Sequence, residues 1–333
     1  MDAIPTFPGA ADDVLPDDFL PDDEVTRRLD LRLGRIHARQ RNGIESEHEA
    51  QVFGQGRTLF HLENMPGAGA VIGALLRVTG TYGLGRANAA NVQLRVNEVA
   101  SARVPPPFDG FRILHLSDLH ADMSQAAMAA TAALVAGLDY DLCVLTGDYR
   151  GQAFGPYRPS LMAMREVVRA LRGDVFGVLG NHDTIRMTPD LEDMGVRMLL
   201  NEHTAIVRGN ASICLAGVDD AHFFRSDNLE KAMGGVGDDT FSILLSHTPE
   251  IYRQAAHAGC DLMLSGHTHG GQICLPGGVP LTLESHLPRR FGRGAWRHGR
   301  MAGYTTAGCG ACILPVRFNC PPEITLHRLV RTA

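Results

Sequence analysis

Apolar and polar positions follow two rhythms along the chain, and the rhythm changes near residue 105. Before that point Val25, Leu29, Leu33 and Ile36 recur at helical spacing, after an acidic start at Asp23-Glu24 that suits a helix N-terminus. The intervening arginines make the other face basic. Such a helix packs on the protein body, pairs with another chain or lies on a membrane surface, and packing is the commonest outcome. Val71 to Val78 is a short apolar segment with glycines at 80, 83 and 85 behind it, either a core helix or an interfacial one. Val92, Leu94 and Val96 alternate with polar neighbours, as a half-buried strand does. Pro105-Pro106-Pro107 then reads as a domain junction. The expected organisation is a flexible acidic tail over 1–23, an N-terminal extension over 24–105 and a main domain over 106–333.

After the prolines, strands and helices alternate. Strands are expected at 111–116, 142–145 and 175–179, with helices at 124–136 and 160–172 between them. Further strands follow at 205–207, 213–216, 242–245, 262–264, 311–314 and 324–329. Strand and helix in alternation predict an α/β fold with helices covering a sheet.

Composition narrows the class. The chain has 333 residues, 44% hydrophobic and 20% charged, enough to bury a sizeable core. A net charge of −6 gives no basic field, so no nucleic-acid partner is expected. The nearest thing to a basic patch is Arg289-Arg290 with Arg293. Seven cysteines in an odd set, with an acidic start and no signal-like segment, predict reduced thiols and a cytoplasmic location. No apolar run approaches the roughly 18 residues of a membrane span. Peripheral contact with the inner face of a membrane is the alternative offered by the amphipathic segments. Cys309 and Cys312 are a close pair, but Cys320 alone does not complete a zinc knuckle.

The chemistry sits where strands end. In open α/β sheets ligands bind beyond the carboxyl ends of the strands. Here those ends carry Asp118 and His120, then Asp148, Asn181 with His182, His247, and finally His267 with His269. Each aspartate alone fits a helix cap, and each histidine alone fits a polar loop. Together they are too many ligands for one ion. They suit two cations about 3.5–4 Å apart bridged by a carboxylate. Histidine and carboxylate without thiolate point to Mn, Fe or Zn. His115 inside a strand reads as structural, and Asp219-Asp220 as a turn cap.

The ordered motifs SDLH (117–120), TGD (146–148), GNHD (180–183), SHTPE (246–250) and GHTH (266–269) resemble those of the calcineurin-like metallophosphoesterases. The longer GHTHGGQ resembles a bacterial subgroup of that family. The resemblance implies a four-layer α/β/β/α sandwich carrying two divalent ions. It places Asp118, His120 and His269 on one metal and Asn181, His247 and His267 on the other, with Asp148 bridging. His182 would be the catalytic imidazole and Asp183 would orient it through a hydrogen bond. Arg150 is a candidate phosphate clamp, although the residues after Gly147-Asp148 depart from the pattern of many relatives. The implied reaction is attack by a metal-bridging hydroxide on a phosphate ester or pyrophosphate. Some members of the subgroup act on UDP-2,3-diacylglucosamine, which makes a lipid-linked nucleotide a candidate substrate. A phosphomonoesterase, a nuclease and a catalytically silent metal-binding scaffold are the competing readings. Retention of His182 and every ligand weighs against the scaffold. The motifs leave the oligomeric state open.

Overall fold

The computed structural model describes residues 19–53, 68–283, 285 and 287–333. Most of the expected acidic tail, residues 1–18, lies outside this range. Within 19–23, Phe19 is buried. Four helices come first: α1 (Asp22–Leu33), α2 (Arg35–Phe53), α3 (Ala68–Val78) and α4 (Tyr82–Ala90). The expected single helix through Ile36 is two. Gly34, at φ 82°, ends α1, and Ile36 is exposed at the start of α2 while Val25 and Leu29 are buried.

Next come β1 (Gln93–Ser101), β2 (Arg112–Leu116), α5 (Gln125–Ala136), β3 (Leu142–Leu145), α6 (Arg158–Ala170), β4 (Val175–Gly177), α7 (Thr188–Asp193) and β5 (Val196–Met198). Then follow β6 (Glu202–Arg208), β7 (Ala211–Gly217), α8 (Leu229–Met233), β8 (Ser242–Leu245), α9 (Tyr252–His257) and β9 (Leu262–Ser265). The chain closes with a small hairpin, β10 (Cys274–Leu275) and β11 (Val279–Pro280), then β12 (Gly294–His298), β13 (Met301–Thr305) and β14 (Glu323–Arg331).

Two six-stranded sheets form, in the orders β1-β14-β2-β3-β4-β5 and β12-β13-β9-β8-β7-β6. In each, the central neighbours are parallel: β2 to β5 in the first, β13, β9, β8 and β7 in the second. Side-chain alternation explains the layering. Along β3, Leu142 and Val144 enter a cluster shared with Ile243, Leu245, Leu262 and Leu264 of the other sheet. Cys143 and Leu145 face the other way, toward Met128 and Val135 of α5 and Leu161 and Met164 of α6. On the far side of the second sheet, Leu244 and Met263 pack with Ala232 of α8 and Tyr252 and Ala255 of α9. Three apolar layers between two helical faces and two sheets give the expected α/β/β/α sandwich.

Two expectations need correction. The boundary at residue 105 is not a structural seam, because β1 pairs in parallel with β14 from Gln93↔Glu323 to Ser101↔Arg331 and so extends the first sheet. Residues 311–314 form no strand. That segment is irregular, with Ile313 at φ 60° and the Cβ position of Gly310 pressed against the Leu119 carbonyl.

Candidate metal centre

The carboxyl ends of β2, β3, β4, β8 and β9 meet at one edge of the sandwich, and five short loops leave them. All seven expected ligands are buried there. Five of them, Asp118, His120, Asp148, His267 and His269, have positive φ between 39° and 72°. Non-glycine residues seldom adopt this left-handed conformation, and clusters of it mark functional sites. The glycines of the motifs let the loops touch. A Cβ on Gly266 would lie 2.0 Å from Ser117 Oγ and 2.2 Å from Asp118 Oδ2, and one on Gly180 would lie 2.2 Å from Asp148 Oδ1.

Donor atoms gather in two sets. Asp118, His120, Asp148 and His269 offer atoms all within 4.8 Å of one another. His120 Nε2 and His269 Nε2 are 3.0 Å apart, and His269 Nε2 is 3.4 Å from Asp118 Oδ1. In the second set, Asn181 Oδ1 lies 2.8 Å from His247 Nε2 and 2.9 Å from His267 Nδ1. Asp148 Oδ2 joins the two, at 3.6 Å from His120 Nε2 and 3.3 Å from His247 Nε2.

The rings are aimed by what lies behind them. His120 Nδ1–H donates to the Arg150 carbonyl and His247 Nδ1–H to the Thr146 carbonyl, each at 2.7 Å. That leaves both Nε2 lone pairs facing inward, as metal-binding histidines require. Burial, opposed by Asp148, pushes His120 down to about 4. Burial likewise pushes Asp118 up to about 7. His247 rises to about 10, because the neighbouring Asp148 carboxylate outweighs the cost of burying its charge. Buried imidazole nitrogens converging on each other and on carboxylates are ill-matched by protons alone. Two divalent cations fit the donor set: nitrogen and oxygen ligands in both halves, one carboxylate common to them, and no thiolate.

His182 lies beside this centre rather than within it. Its Nε2 is 4.0 Å from Asp148 Oδ2 and its ring stands edge-on to His120. Here the sequence-based expectation for Asp183 fails. The orienting bond runs from His182 Nδ1 to the Gly151 carbonyl, at 3.0 Å. The Asp183 carboxylate instead accepts the backbone N–H groups of Asp148, Tyr149 and Gly180 at 2.7–2.8 Å, pinning two metal loops together. Arg150 is also not placed as a phosphate clamp. Its guanidinium is buried and donates to the carbonyls of His182, Ala153 and Gly155, so it braces the loop after β3. His115 is structural as expected, bonded to Thr146 Oγ1 at 2.8 Å. Asp220 caps its turn through the N–H groups of Phe223 and Phe224. All seven cysteines are buried.

Three residues here were not singled out from sequence. Arg317 is fully buried and packs its Nη2 3.2 Å from His269 Nδ1 while donating to the carbonyls of Ala307 and Gly310. His222 packs on the His267 ring, 4.2 Å between centroids, with Nδ1 2.8 Å from Glu250 Oε2. Arg41, from α2, donates to the Asp183 carbonyl at 3.2 Å. None belongs to a short motif, so spacing gives no signal for them.

Two aspartate–histidine donor sets sharing a carboxylate, at the strand ends of a double-sheet sandwich, define a metallophosphoesterase. A calcineurin-like phosphoesterase family profile matches residues 111–271. A transmembrane protein with metallophosphoesterase domain from Danio rerio is 32% identical over 317 residues, covering 88% of this chain and 67% of that one. The uncharacterized metallophosphoesterase YkuE of Bacillus subtilis is 30% identical over 276 residues, covering 79% and 95%. Phosphodiesterase YaeI of Escherichia coli is 29% identical over 236 residues, covering 66% and 82%. The chain belongs to the calcineurin-like phosphoesterase family, and it is a metal-dependent hydrolase of phosphoester bonds. Among the described residues no helix is long and apolar enough to cross a membrane.

Proposed function

We propose that this protein is a two-metal phosphodiesterase or pyrophosphatase, with Asp118, His120 and His269 on one cation, Asn181, His247 and His267 on the other, and Asp148 shared. The observation that carries this reading is the position of Asp148 Oδ2, within 3.6 Å of an imidazole from each half of the site. Two divalent cations at such a centre supply Lewis-acid stabilisation of the phosphoryl oxygens and activate a water near neutral pH. The protein's part is to fix donors and to move a proton. His182 Nδ1 is held by the Gly151 carbonyl, so the mobile proton is on Nε2, facing the centre. From there the imidazolium gives it to the departing oxygen.

Several features favour a diester with an apolar portion, such as a lipid-linked nucleotide like UDP-2,3-diacylglucosamine. The subgroup resemblance of GHTHGGQ supports it, and so does the apolar exposed helix α3 beside the site. A phosphodiesterase among the relatives points the same way. A cytoplasmic protein with peripheral contact to the inner membrane face fits these features.

The test is hydrolysis of bis(p-nitrophenyl) phosphate and p-nitrophenyl phosphate by metal-stripped protein given Mn, Zn, Fe or Mg, with His182→Ala beside it. The expected result is metal-dependent diester cleavage, with kcat in the variant lower by about 10²–10⁴-fold at unchanged metal content. Cleavage of the monoester alone would replace this reading with a phosphomonoesterase. Silence in every metal, with metal bound, would replace it with a binding scaffold.

A further inference from the structure

The metal centre shares a wall with a cavity of about 370 Å³ that carries almost no free polar group. One side is α3, through Ile72, Leu75 and Leu76. The other is Ile313 and Leu314, with the exposed Leu281 at the rim, and His269 is also among the lining residues. Two of the wall's polar side chains, Gln272 and Thr268, are already engaged. The Gln272 side chain donates to the carbonyls of Cys312 and Leu314 at 2.9 and 3.1 Å and accepts from Cys312 N at 2.9 Å. Thr268 Oγ1 donates to the Gly292 carbonyl at 2.6 Å. That leaves the wall mainly apolar, a poor match for the many hydrogen bonds of a sugar or a base.

The helix that forms this wall is built for close docking. A Cβ on Gly69 would stand 3.0 Å from Ile313 Cγ2, and one on Gly73 would stand 3.5 Å from Leu314 Cδ2. The apolar surface continues outward: Val71 is 70% exposed, Leu75 62% and Leu281 54%. Exposed apolar residues this dense and contiguous with a cavity mark a binding site rather than ordinary surface. The volume is near the small end for ligand pockets, enough for one narrow chain.

We infer that this cavity is the subsite for a single hydrocarbon chain of the substrate, held so that the phosphoester attached to it reaches the metal centre beside His269. The inference rests on the phosphodiesterase reading and adds to it the place where the apolar portion binds, which requires the phosphate to lie close to a linear alkyl or acyl chain. His269 belongs to both places: it is among the residues that line the cavity, and its Nε2 is one of the gathered donor atoms. An apolar chain alone would ignore the centre, and a polar ester alone would ignore the cavity.

The test is a series of alkyl p-nitrophenyl phosphates, ethyl to octyl, used below their aggregation threshold with the metal-loaded full chain. Each methylene taken from water into such a cavity is worth up to about fourfold. The octyl ester is therefore expected to exceed the ethyl ester in kcat/KM by about tenfold or more. In Leu75→Glu and Leu281→Glu, both at the solvent-exposed rim and so tolerant of charge, that ratio falls toward one. A flat series in the wild type, while bis(p-nitrophenyl) phosphate is cleaved, overturns the inference and leaves the phosphodiesterase reading standing. So does a loss confined to vesicle binding in the two variants, which would make α3 a membrane contact instead. If no ester is cleaved in any metal, the phosphodiesterase reading fails. Calorimetric titration with octyl and ethyl phosphate then decides the cavity separately, and equal affinities overturn it.

Discussion

Replacing Arg41 by methionine removes a buried cation that ties α2 to the catalytic loop, and its cost follows from the contacts. The Arg41 side chain is wholly buried. Its Nε lies 3.2 Å from Asp219 Oδ2, Nη1 2.6 Å from Glu45 Oε1, and Nη2 3.2 Å from the Asp183 carbonyl. The guanidinium rests 3.7 Å over the Phe224 ring. Burial works against a charge on Asp219, yet Arg41 holds its carboxyl below the usual range. Removing one member of a buried pair strands the other, typically at about 3–5 kcal/mol. Against a typical stability of about 5–15 kcal/mol, that is a large fraction.

The assay is chemical denaturation of the metal-loaded protein at several pH values, with kcat measured in parallel. Because the folded pKa of Asp219 is depressed, its contribution is present above the unfolded value of about 3.9 and is lost as pH falls through the lower folded value. Without Arg41 the stranded carboxylate takes up a proton readily, so the variant's deficit shrinks as pH drops below about 4. Adding Asp219→Asn to Arg41→Met should recover part of the loss at neutral pH, since no buried charge is then left alone. Arg41→Lys should not rescue, because a single ammonium cannot meet Asp219, Glu45, the Asp183 carbonyl and the ring together. A deficit under about 1 kcal/mol in Arg41→Met at pH 7, the range of an exposed pair, would refute the reasoning.

Three other outcomes follow from the geometry. Gly266→Ala forces a Cβ to within 2.2 Å of Asp118 Oδ2, so metal analysis should show one equivalent lost and activity should collapse; two equivalents at wild-type activity would contradict the packing. Burial pushes His115 down to about 3. Its contribution is thus complete above its unfolded pKa of about 6.5 and declines from there toward pH 3, with a slope of about 1.4 kcal/mol per pH unit. His115→Gln should lower the slope of stability against pH between 6.5 and 4 by about that amount, and identical slopes would count against the assignment. Chelation should lower the melting temperature as well as abolish activity: a cation present at a hundred times its Kd contributes about 2.7 kcal/mol, and an unchanged melting curve would mean the donor set holds no metal in solution.

What could be read from the sequence was local. Each metal loop is a short run of ligand types directly after an apolar strand, so the strand, the turn and the chemistry all lie within about ten residues. What escaped was set by contacts distant along the chain. Helix α4 went unrecognised because Gly83 and Gly85 disfavour a helix. In the fold, Gly85 is where Phe318 and Val316 lie so close that a Cβ would meet them at 2.8 and 2.9 Å. The 311–314 run is apolar enough for a strand, but it serves as cavity wall and cover for α3. Arg150 and Asp183 carried the right charge for their expected roles, and only their partners, three carbonyls for one and backbone amides for the other, show that they build loops.

Those long-range contacts change what the N-terminal extension is. Through Arg41, α2 reaches the Asp183 carbonyl, one residue from His182. Through Gly85 O and Asn88 Nδ2, α4 holds the backbone of Arg317, whose guanidinium lies against His269. Helix α3 walls the cavity that the same histidine also lines, and β1 covers the β14 edge of the first sheet. Two parts of the metal centre, the His182 loop and the His269 ligand, are therefore supported from residues before 105, and Asp219 and the Arg317 backbone would lose partners if the extension left. A main domain beginning at residue 106 would keep every ligand and yet expose Asp219, Glu323's strand and the back of Arg317 to solvent. The sequence motifs mark where the metals bind. The rigidity that holds five left-handed ligand residues in place comes in part from helices in which no motif is found.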